Sequence, residues 1–164
     1  MKVAYVVDTG FLDELLAMPG KTQRAWRDAA RKLLEESKTT QSDFWVTPGV
    51  VFEFGTHVAG LPDGNQRRQL AMRLRALVQN EVLRITSAGS PDNAAVRRFL
   101  AVLEMFADER AVQGLSLVDA EVIQEARRLA ATFQVLGRRV EILSVDRPVQ
   151  AESPSPCTWP PAAG

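Results

Sequence analysis

One cysteine, one histidine and one tyrosine stand among 164 residues. The single thiol, Cys157, excludes an internal disulfide and fits a reducing compartment. His57 has no second histidine and no cysteine near it in sequence, which argues against zinc held by nitrogen and sulfur. Charge of one sign is lacking too. Lys and Arg total 20 against 20 Asp and Glu, so no global field draws the chain to a polyanion. Contact with nucleic acid would have to come from a local patch. No stretch approaches the roughly 20 apolar residues that cross a bilayer. The N-terminal apolar run is too short for a signal peptide and is broken by Asp8. A soluble, cytoplasmic, single-domain protein is the expectation.

Several familiar phosphate chemistries are missing as well. Gly20-Lys21-Thr22 looks like the end of a phosphate-binding loop, but the glycine needed five residues earlier is Leu15. Asp8-Thr9-Gly10 lacks the second aspartate, two residues after the first, that haloacid-dehalogenase-type phosphatases use. A phospho-accepting receiver would want an acid after the third strand and a late lysine. Thr86-Ser87 stands there instead, and no lysine follows Lys38.

The apolar residues that are present, 46% of the chain, alternate between two periods. Residues 2–7, 44–47, 82–86 and 140–145 read as short strands. Helical spacing marks 11–18, 22–37, Pro48 to about Ala59, a stretch ending near Asn80, 92–109, and a long run from Val118 to Leu136 stopped by Gly137. Residues 61–65 form a turn cluster, and Ser87 to Pro91 a loop. Strands alternating with helices predict an α/β fold with a parallel sheet. From Pro148 onward five prolines predict a mobile tail over 149–164, leaving 1–148 as the folded unit.

Four acids then stand out. Asp8 closes the aliphatic run Val3-Ala4-Tyr5-Val6-Val7, at the strand end where open α/β sheets place ligands. Glu53 is the one charge in Val50-Val51-Phe52-Glu53-Phe54-Gly55. Asp119 opens the long helix, and Asp146 follows the last strand. Each has a plainer reading. Asp8 suits a helix cap, Glu53 an exposed helix face, and Asp146 a turn. Ser116-x-x-Asp119 approximates a capping box. Gathered together, four carboxylates would repel and hold their protons unless a cation intervened. Oxygen donors favour magnesium or manganese.

The ordered set Val6-Val7-Asp8-Thr9-Gly10, Val51-Phe52-Glu53-Phe54, Leu117-Val118-Asp119-Ala120 and Ser144-Val145-Asp146 resembles the PIN-domain ribonucleases, in particular the VapC-type toxins. The resemblance spans residues 1 to about 147. It implies a three-layer α/β/α fold around a parallel sheet of four to five strands. It also implies metal-dependent hydrolysis of RNA, with Asp8, Glu53, Asp119 and Asp146 as catalytic and metal-binding residues and Mg2+ or Mn2+ as cofactor. An antitoxin protein and a homodimer would be its partners. Thr9 and Ser144 are hydroxyls that can join such a site. Arg147-Pro148 departs from the family pattern after the last acid, and no further strand follows. A non-catalytic PIN-like module that binds RNA or protein is the alternative.

Overall fold

A computed structural model describes residues 2–86, 94–157 and 159–160. The loop expected at 87–91 lies outside them. In chain order the elements are β1 (Val3–Val7), α1 (Thr9–Leu16), α2 (Arg24–Thr40), β2 (Asp43–Val46), α3 (Pro48–Ala59) and α4 (Gly64–Gln79). Then come β3 (Leu83–Ile85), α5 (Ala94–Met105), α6 (Leu117–Phe133), β4 (Arg139–Leu143) and α7 (Arg147–Ala151). A π-helical turn (Phe106–Arg110) extends α5, and a 3-10 turn (Gln134–Leu136) ends α6. Val135 and Leu136, which continue the apolar pattern in sequence, are exposed in that turn.

The four strands are parallel in the order β3-β2-β1-β4, with helices flanking the sheet. β1 has a neighbour on both edges, which explains its composition without a charged residue: every residue of it is buried. The chain winds outward from β1 to β3, then returns to the other side of β1 as β4. The direction of winding therefore reverses between β1 and β4, and the carboxyl ends of those two strands bound the crevice where such sheets bind ligands. Register makes this concrete. Val7 lies opposite both Val46 and Leu143, so Asp8, Thr47 and Ser144 leave the sheet at one level.

Local signals fix the helices that start there. The Asp8 side chain accepts from Thr9 N, so α1 begins at Thr9, two residues before the apolar periodicity starts. Thr47 caps α3 and Pro48 fits its first turn. Gly10 is required by proximity, because a Cβ there would stand 2.4 Å from Val145 Cγ2.

Residues 149–157 and 159–160, expected from composition to form a mobile tail over 149–164, pack against the sheet and its helices. Val149 is fully buried, and the Trp159 ring meets Phe11 edge-on at 4.9 Å. Two apolar anchors outweigh the proline-rich composition that predicts disorder, since each buried large side chain contributes about 1.5–3 kcal/mol. Polar ties add to them. The buried Arg110 guanidinium donates to Glu152 at 2.8 Å, and the Ser153 hydroxyl accepts from Ile142 N at 2.9 Å. That last bond occupies a donor on β4 where a fifth strand would pair. Among the described residues there is no fifth strand.

Candidate active site

The Asp8 carboxylate sits in the crevice between β1 and β4, 6% exposed. Thr9 N donates to its Oδ1 at 2.7 Å, and Ser144 Oγ donates to its Oδ2 at 2.5 Å. The Ser144 hydroxyl in turn accepts from Asp146 N at 3.0 Å. Burial pushes the Asp8 carboxyl up to about 6. The two hydrogen bonds pull it down, and the nearby charges of Asp119 and Glu53 push it further up. Asp8 is thus both the cap of α1 and the centre of an acidic group.

Glu53 reaches the same place from α3. Phe54 is buried in the core, while Glu53 beside it accepts from Thr9 Oγ1 at 2.5 Å. Thr9 therefore touches two of the acids, one through its amide and one through its hydroxyl. Asp119 arrives from the first turn of α6, where the capping box is complete. Ser116 N donates to Asp119 Oδ2 at 2.7 Å, and Asp119 N donates to Ser116 Oγ at 3.1 Å. The plainer reading of Asp119 holds alongside its membership of the group. Among the described residues Oδ1 has no hydrogen-bond partner.

Asp146 is exposed at the start of α7 and makes no side-chain capping bond. Burial and the Asp119 charge both raise its carboxyl. Asp119 therefore acts on Asp8 on one side and Asp146 on the other. All four acids expected from the sequence lie at the carboxyl-end face of the sheet. They do not converge fully. Among the described residues no three acid, histidine or cysteine side chains are placed to hold one metal ion. Glu53 is engaged by the Thr9 hydroxyl, and Asp119 Oδ2 by Ser116 N. The donor set itself fits a hard divalent cation. It is oxygen only, and the one histidine of the chain, His57, is bonded instead to Asp13.

No family model and no curated protein matches the sequence. Among solved structures, the chain is similar to one in the crystal structure of FitAcB from Neisseria gonorrhoeae. The two share 15% identity over 90% of this chain and 91% of that one, with a TM-score of 0.54. The fold is PIN-like: a parallel four-stranded sheet flanked by helices. At that identity the likeness carries architecture alone.

Within the PIN-like fold, Arg147-Pro148 acquires a local explanation. The proline stands in the first turn of α7, so the departure from the family pattern starts a helix. Near the acids, Asp13 and Glu121 carry no mark of their own in the linear sequence, and His57, the one histidine, joins Asp13. Asp13 is buried against His57, with Nδ1 3.0 Å from Asp13 Oδ2. Burial raises the Asp13 carboxyl, and the His57 hydrogen bond opposes this. Glu121 accepts from Gly49 N at 2.9 Å. The sequence signal for the Asp13–His57 contact is spacing: Thr9 to Asp13 and Glu53 to His57 are each four residues. No helix among the described residues is long and apolar enough to cross a membrane.

Proposed function

We propose that this chain is a metal-dependent endoribonuclease of the PIN type, acting as the toxin of a toxin–antitoxin pair. The observation that supports it best is the Asp8 carboxylate. It is shielded from water at the end of the central strand, with two further acids near enough to raise its affinity for a proton. A buried carboxylate with like charges nearby is costly to ionise alone, and a bound cation would offset that cost. Asp8 and Asp119 would be the direct ligands of Mg2+ or Mn2+, and Glu53 and Asp146 would hold a second ion or orient the attacking water. When bound, such an ion lowers the pKa of coordinated water and screens charge on a phosphodiester. Thr9 and Ser144 hold the Asp8 oxygens in place through the reaction. Water adds to phosphorus in line with the departing oxygen, and the P–O3′ bond breaks. The products are a 5′-phosphate and a 3′-hydroxyl.

Partner binding fits the surroundings. An apolar cleft of about 220 Å³ lies beside the acids, lined by Phe52, Phe99, Val102, Leu117 and Val118. Phe52 is 76% exposed next to Glu53. An antitoxin segment seated there would sit over the acids, and the same face could serve a homodimer.

Cleavage of single-stranded RNA in Mg2+ or Mn2+ is expected from the wild-type chain. Chelation should abolish it, and so should Asp8→Asn in a folded protein. If Asp8→Asn cut RNA at the wild-type rate, the assignment of Asp8 would be wrong. One observation favours a second reading, a non-catalytic PIN-like module that binds RNA or protein: the absence, among the described residues, of three ligands placed around one ion. Manganese separates the two. A competent site raises Tm, because binding to the folded state alone adds about 2.7 kcal/mol of stability at a hundredfold excess over Kd. A degenerate site leaves Tm unchanged.

A further inference from the structure

Gly49, Glu53 and His57 recur every four residues along α3 and so occupy one face of it. Each makes a polar contact with another helix. Gly49 N donates to Glu121 Oε2 of α6 at 2.9 Å. Glu53 accepts from Thr9 of α1, and His57 pairs with Asp13 of α1. Thr9 and Asp13 are themselves one turn apart, so α1 and α3 meet through two polar rungs in step. The partner helices are those that bear the other acids: Asp8 caps α1, and Asp119 begins α6.

Two details point to placement rather than bulk adhesion. Asp13 is 6% exposed, and among the described residues its carboxylate has one hydrogen-bond partner, His57. An apolar pair would hold two helices together without burying a charge, so the polar pair adds direction. At the other end, a Cβ on Gly49 would stand 2.2 Å from Glu121 Oε2. A glycine is what admits the carboxylate to the first turn of α3, whose amides otherwise depend on Thr47.

We infer that Glu121 and the Asp13–His57 pair are positioning residues, which set the rotation and axial place of α3 so that Glu53 meets Thr9 beside Asp8. The inference rests on the acid group being the functional site, and it deepens that reading. Glu121 fixes the helix one turn before Glu53, and His57 fixes it one turn after.

Calorimetric titration with Mn2+ alone tests it. Glu121→Ala should weaken Mn2+ binding about tenfold, as loss of a group that orients a metal ligand commonly does. Glu121→Gln, which keeps an acceptor oxygen for Gly49 N, should restore affinity. Gly49→Ala should act like Glu121→Ala and add nothing to it. His57→Ala alone leaves Asp13 buried and unpaired, so the second arm is the apolar double variant Asp13→Leu with His57→Leu. It should stay folded and lose Mn2+ affinity. Both losses should vanish in a Glu53→Gln background. Wild-type affinity in Glu121→Ala and in the double leucine variant would overturn the inference. If the wild-type chain bound no Mn2+, the nuclease reading would fall, and positioning would be decided on the metal-free protein. There, Thr9→Val and Glu121→Ala should be non-additive by more than about threefold in the folding equilibrium constant. Additive effects would overturn the inference.

Discussion

Replacing Asp8 by asparagine should stabilise the metal-free protein, and by an amount that depends on pH. The Asp8 carboxyl moves from an ordinary 3.8 to about 6 on folding, chiefly through burial. That change is equivalent to ~3 kcal/mol. The sign follows from proton counting. Below about pH 4 both folded and unfolded chains hold the proton, and the group costs nothing. Between about pH 4 and 6 the folded chain keeps the proton and the unfolded chain has released it. Stability therefore falls as pH rises, by at most ~1.4 kcal/mol per pH unit from this one group. Above about pH 6 the whole cost is present. Asparagine cannot ionise, so the stability of Asp8→Asn minus wild type should rise by ~3 kcal/mol between about pH 4 and 7. Other buried acids, among them Asp13 and Glu141, titrate in both proteins and cancel in the difference. The asparagine also alters the bond to Ser144, whose pH dependence is already contained in the Asp8 value of about 6, because that bond is one of the effects that lower it. Urea unfolding followed by tryptophan fluorescence in metal-stripped buffer measures it. A difference curve flat from about pH 4 to 7 would refute the claim that Asp8 is ionised at a cost in the folded chain.

Ser144→Ala removes the hydroxyl donor to Asp8, so it should destabilise by about 1.5–3 kcal/mol above pH 6 and by less near pH 4, read by the same unfolding curves. Trp159→Ala should cost about 3–5 kcal/mol. Trp159→Phe should cost much less, because it keeps a ring against Phe11 and removes a buried indole N–H that has no partner among the described residues. Gly10→Ala forces a methyl against Val145 Cγ2 and should cost about 1–3 kcal/mol. Combining it with Val145→Ala should recover most of that loss in thermal unfolding, and no recovery would mean the strain lies elsewhere.

The parallel sheet was legible because β1 and β4 are short apolar-rich runs ending in polar residues, and because Pro48 opens its helix cleanly; the run expected to continue as helix to Gly137 instead leaves α6 at Phe133 for a 3-10 turn. Asp8 was legible for the same reason: a carboxylate at the end of a buried strand stands out from its neighbours. Asp119 could not be resolved into one role, and the structure shows why, since its capping bonds and its place among the acids coexist. The packing of the tail was not legible because composition averages over a segment, whereas packing turns on single residues such as Val149 and Trp159. Glu121 and Gly49 are 72 residues apart, and no periodicity links a side chain on one helix to an amide on another. Contacts of that kind become visible only when the helices are placed.

The Ser153 hydroxyl on Ile142 N has a consequence for the assembled molecule. An outermost strand with free amides invites a foreign strand to dock beside it, the route by which many sheet proteins clump or exchange segments. Here the residues after β4 fold back and shield that flank themselves, with Trp159 wedged inward to hold them there. Their work is protective. Growth of the sheet past β4 is discouraged from within the chain.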